Sequence, residues 1–73
     1  MNEANIRLLK FAIQNLESIE TLREQNEILT NDPHGVFNGI FDDRIAYNNE
    51  WIERKKRSYL YCINELNKFK DAI

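Results

Sequence analysis

The groups in this chain best suited to chemistry are few and far apart. His34, the sole histidine, stands two residues after Asp32, and Cys62, the sole cysteine, follows much later. An Asp/His pair becomes a proton relay or a metal site only when a nucleophile or further ligands stand at close spacing. The sequence supplies neither. It contains no Glu-x-x-His pair, no His-Glu-x-x-His run, no glycine-rich phosphate loop and no Gly-x-Ser-x-Gly elbow. The expectation is therefore a protein without catalytic residues, metal or cofactor, with His34 as a solvated loop histidine. Cys62 has Tyr59 and Leu66 one helical turn away, the setting of a buried, inert thiol. A single cysteine excludes an intrachain disulfide, which fits a reducing, cytoplasmic location.

The second chemical signal is basic and aromatic. Arg54-Lys55-Lys56-Arg57 is the densest positive run, but four consecutive helical residues spread over about 300° and make no single patch. A better line is Tyr47, Arg54, Tyr61 and Lys68, one residue per heptad, with Arg57 beside it. Interleaved cations and rings of this kind suit a phosphate backbone with stacked bases. Glu50, Glu53 and Glu65 stand three or four residues from Arg54, Arg57 and Lys68, the spacing of intrahelical ion pairs. Together with a formal net charge of -2, this favours a solvated, internally paired face. A protein contact comes next and nucleic acid is the remaining alternative.

Two long segments must position these groups. From residue 3 to about 29 there is no Gly or Pro, and apolar residues recur at helical spacing. One line is Ile6, Leu9, Ile13 and Leu16. A second is Leu8, Ala12, Ile19, Leu22 and Leu29, a heptad series interrupted by Asn15 and Asn26. With Phe11, the apolar face of the first half spans about 220°, far more than the ~100° stripe of an ordinary surface helix. Thr30-Asn31-Asp32-Pro33-His34-Gly35 ends the helix, since Pro33 disfavours the α conformation at Asp32. Asp32 as N-cap before Pro33 then allows a short helical turn carrying Val36, Phe37, Ile40 and Phe41. Those four apolar residues either plug the end of a bundle or form a docking tip, and the cost of exposing them favours the plug.

A second helix is expected from about 43 to 71. Its apolar meridian runs through Ile45, Ile52, Tyr59, Cys62, Ile63, Leu66, Phe69 and Ile73, with Asn48 and Lys55 on the same line. Lys55 there snorkels to water along its stem, whereas Asn48 could set the register. If the corner lies near residue 36, facing residues have numbers totalling about 72. Ile6 then faces Leu66, Leu9 faces Ile63 and Ile13 faces Tyr59, while Glu17 and Glu20 approach Lys55 and Lys56.

The fold class read from the sequence is all-α: one domain, an antiparallel two-helix hairpin with a short helical turn in the connection, pairing into a four-helix bundle. A chain of 73 residues sits where a lone core supplies only about 3–5 kcal/mol. With disulfides and metals set aside, association is the expected supplement, a homodimer first, through Ile6, Leu9, Phe11, Ile13, Leu16, Phe37 and Phe41. No apolar run reaches ~18 residues, so no membrane role is expected. The abundance of Asn and Ile, by association only, suggests a bacterial or phage origin. The functional expectation is a non-enzymatic interaction module, a small regulator, adaptor or inhibitor with a possible protein partner. A nucleic-acid-binding regulator using Tyr47, Arg54, Arg57, Tyr61 and Lys68 is the alternative.

Overall fold

In a computed structural model the chain is described over residues 2–32, at Gly39 and over residues 41–71, with side chains as far as Lys68. Two α-helices account for nearly all of this. Helix α1 spans Glu3–Asn31 and helix α2 spans Asp42–Asp71. They pack against each other along their length, giving a rod of 56 × 13 × 13 Å. Neither helix is long and apolar enough to cross a membrane.

Each helix starts for a local reason. Asn2 is extended, and its side-chain oxygen accepts the Asn5 backbone N–H at 2.9 Å, capping α1. Glu3 in the first turn faces the positive end of the helix dipole, and in α2 the same place is held by Asp42 and Asp43. Ahead of α2, Gly39 adopts φ 64, in the left-handed region that glycine enters without a Cβ penalty. Its carbonyl accepts the Asp42 N–H at 3.4 Å, closing a turn into the helix. The expected helical turn over Val36, Phe37 and Ile40, together with Pro33 and His34, lies outside the described residues; Phe41 is half-buried at the entrance to α2.

The seam of the hairpin is the second line of α1, not the first. Ala12, Asn15 and Ile19 are buried, and Leu8, Leu22, Asn26 and Leu29 are half-buried. With Asn5 these residues keep strict three-four spacing for the whole helix. On α2 the matching series is Ile45, Asn48, Ile52, Lys55, Tyr59, Cys62 and Leu66, of which Asn48, Ile52 and Cys62 are buried. The expected facing of Ile6 with Leu66, Leu9 with Ile63 and Ile13 with Tyr59 is therefore corrected. Ile6, Leu9 and Ile13 remain 42%, 36% and 53% exposed.

The reason is length. The Ile6 line runs into Glu20, Arg23 and Glu27 after three turns, whereas the Leu8 line stays free of charge to Leu29. A partner helix of 30 residues must be met along its full length, and only an uninterrupted 3.5-residue repeat does that.

Register is fixed by a polar contact. The Asn48 side-chain N–H donates to the Asn26 side-chain oxygen at 3.0 Å, and the Asn26 N–H donates to Asn49 at 2.9 Å. Facing residues thus have numbers totalling 74, as Asn26 and Asn48 do, which sets Leu8 level with Leu66, Ala12 with Cys62 and Leu22 with Ile52. Asn48 is buried, so this contact specifies alignment at some cost in stability. Asn15, only 2% exposed, has a side-chain N–H without a partner. A buried unsatisfied donor costs about 1–3 kcal/mol.

The electrostatic match expected across the seam does not form. Glu17 and Glu20 reach neither Lys55 nor Lys56; Lys56 pairs with Glu53 at 3.2 Å inside α2. Lys55 lays its stem in the seam and brings its ammonium to 5.8 Å from the Trp51 ring centre, where cation–π attraction and water both remain available.

Candidate interaction surface

Antiparallel pairing leaves two flanks beside the seam, and their chemistries differ. Helical geometry puts Ile6, Leu9, Ile13 and Leu16 on one flank of α1, with Ile63 and Leu60 on the adjoining side of α2. Leu16 is 46% exposed and Leu60 57%, Ile63 is half-buried, and the exposures of the other three are those given above. Six aliphatic side chains thus form one strip at the end of the rod away from the turn. No charged residue interrupts it between Ile6 and Leu16 along its own line.

Phe11 does not belong to this strip. It projects about 160° from Ile13 around α1 and is 47% exposed on the opposite flank. There it lines two adjoining open grooves. One, of about 710 Å³, runs past Asn15, Ser18, Leu22, Tyr47, Trp51 and Lys55. The other, of about 640 Å³, lies among Ala4, Leu8, Phe11 and Tyr61. Of the expected interface residues, the structure brings together Ile6, Leu9, Ile13 and Leu16, separates Phe11 from them, and leaves Phe41 half-buried at the far end; Phe37 lies outside the described residues.

The aromatic flank has its own order. Tyr47 meets Trp51 edge to face with ring centres 6.3 Å apart. The Arg54 guanidinium lies 5.1 Å above the Trp51 ring and also binds Glu50 at 2.8 Å. Lys68 binds Glu65 at 2.8 Å, and that carboxylate, by hydrogen bond and by charge, raises the ammonium pKa above its ordinary value. Arg57, expected to pair with Glu53, has no ion-pair partner among the described residues, because Glu53 binds Lys56 instead. Two of the cations on the basic and aromatic line are therefore neutralised within α2, while Tyr47 and Tyr61 stand 59% and 61% exposed.

Three contributors escape the sequence reading. Trp51 carried a signal, one turn from Tyr47 and three residues before Arg54. Leu60 and Ile28, the latter 70% exposed, lie off every apolar meridian, so periodicity passes over them. Cys62 is fully buried with its thiol free, as its place on the meridian implies.

Fold and surface define the class: an antiparallel helical hairpin with a thin core and two dissimilar uncovered flanks. No family model, curated protein or solved structure matches the chain.

Proposed function

We propose that the chain is a non-enzymatic interaction module, a small regulator, adaptor or inhibitor that associates with itself through the aliphatic flank. The observation that carries this reading is the exposure of Ile6, Leu9, Ile13, Leu16 and Leu60 as one strip beside a core that buries only a few apolar side chains. Isolated exposed aliphatic residues are ordinary on protein surfaces, but a contiguous strip marks an association site. A dimer of hairpins is the smallest closed arrangement that covers it, and cytoplasmic residence belongs to the same proposal.

Sedimentation equilibrium tests the reading. The chain should weigh as a dimer, and Leu9→Asp or Ile13→Asp should return it to a monomer, since each buries a charge in the contact. An unchanged assembly mass in both variants, with helicity intact, would reject it.

The nucleic-acid reading is weaker by comparison. Affinity for a phosphate backbone grows with the number of cations that release counterions, and Arg54 and Lys68 are already engaged by Glu50 and Glu65. Arg57 is the remaining cation of that line without a carboxylate. A salt-sensitive shift of labelled DNA or RNA, lost in the Arg54→Ala/Arg57→Ala double variant, would reinstate that reading.

A further inference from the structure

We infer that the second copy docks with its α1 antiparallel to this one across the aliphatic flank, overlapping only the open half of each rod. This rests on the self-association proposed above and adds its geometry: which helix meets which, in which direction and over what length.

The first support is the spacing. Ile6, Leu9, Ile13 and Leu16 are separated by three, four and three residues, a series that reads the same in both directions. Turned about a twofold axis at the level of residue 11, Ile6 meets Leu16 of the second copy and Leu9 meets its Ile13. Every layer then joins one isoleucine to one leucine. A twofold contact requires this self-complementarity, with residue i on j and j on i.

The second support is charge. Beyond Leu16 the same line continues through Glu20, Arg23 and Glu27. Parallel docking would set each glutamate beside its own copy, which is unfavourable. In the antiparallel arrangement Glu20 instead lies level with the capped start of the second α1, whose backbone N–H groups and positive dipole end favour a carboxylate.

The third is area. Closing side chains of this exposure removes roughly 80 Å² each on average, so the six of the strip and its Leu60 and Ile63 edge bury roughly 900–1,000 Å² over both copies, about where specific interfaces begin. The two turns then point to opposite ends of the dimer. The grooves beside Phe11 and Trp51 stay open.

Pulsed electron–electron resonance on the full chain reads this geometry directly. Nitroxides would be placed at Lys10→Cys or at Glu27→Cys, with Cys62 replaced by Ala. If that background loses helicity, native Cys62 can remain, because it is fully buried and closed to the reagent. Labels at position 10 should lie within about 20 Å of each other, and labels at position 27 about 48 Å apart, from the 1.5 Å rise counted outward from residue 11 on both copies. Glu20→Gln should weaken association by roughly fivefold, the combined effect of two dipole contacts. A dimer with short distances at both positions, or long distances at both, would overturn this docking and leave self-association standing. A monomer at every concentration would overturn both.

Discussion

The two halves of α1 share one fold and differ in what surrounds it. From Glu3 to Leu16 the helix carries two apolar lines and uses one of them for the hairpin; from Glu17 onward it carries the seam, bordered by Glu20, Arg23 and Glu24, and one isolated exposed isoleucine, Ile28. The half of α1 near the turn therefore has no second apolar line to cover, while the open half keeps Ile6, Leu9, Ile13 and Leu16 in water. The polar seam contacts divide similarly. Near the turn Asn26, Asn48 and Asn49 satisfy one another, but in the open half Asn15 is buried with an unpaired donor. One half has a single apolar line and paired seam amides; the other has a second line uncovered and a seam amide unpaired.

That contrast can be broken most strongly in the open half. Ile13→Asp should abolish dimer formation in sedimentation while far-UV dichroism keeps its helical shape, since the side chain is 53% exposed in the single hairpin. The same substitution at Ile52, buried in the seam, should instead unfold the chain. Next in size, Ile52→Ala removes seam volume and should cost about 2–5 kcal/mol in urea denaturation.

Smaller effects sharpen the polar half of the comparison. Asn26→Leu alone should destabilise by about 1–3 kcal/mol, because it leaves the buried Asn48 without its acceptor. Asn26→Leu with Asn48→Leu should recover most of that loss while loosening the register, so the double variant should show broader amide resonances around the turn. Asn15→Leu should work in the opposite direction and raise the unfolding midpoint, since it removes an unsatisfied donor from a seam position that suits leucine. A lowered midpoint would show that Asn15 finds a partner in the assembled state.

The smallest expected effect concerns pH. Glu65 raises the Lys68 pKa above the unfolded value of 10.5, so this pair contributes fully below that value and its contribution is lost as the pH rises through the folded pKa. Lys68 is largely exposed, so helicity near the end of α2 should decline only slightly in strong alkali. Glu65→Gln should remove that component.

Much of the fold is legible along the chain. Absence of Gly and Pro, helical spacing and the Asn31-Asp32-Pro33 breaker mark two helices and a reversal, because these signals act within a few residues. The observed helices, Glu3–Asn31 and Asp42–Asp71, extend slightly past the expected limits of 29 and 43. Asn2 as the N-cap and Trp51 as the centre of the aromatic flank have legible signals in their neighbours, although no apolar periodicity points to them. The choice between the two lines of α1 is harder, because over the first three turns the Ile6 line is the more apolar of the two and only the uncharged continuation to Leu29 favours the other.

Sequence alone determined that there are two helices, that they run antiparallel, and that Cys62 and Asn48 lie on the buried side, since each follows from local propensity and a repeat near 3.5 residues. Tertiary structure alone decided that the Asn-bearing line is the seam, that Asn26 meets Asn48, and that Phe11 and Ile13 serve opposite flanks. Those outcomes depend on the rotation and shift of one helix against the other. Small changes in either exchange which apolar line is covered, and the full-length contact of α1 with α2 is what selects between them.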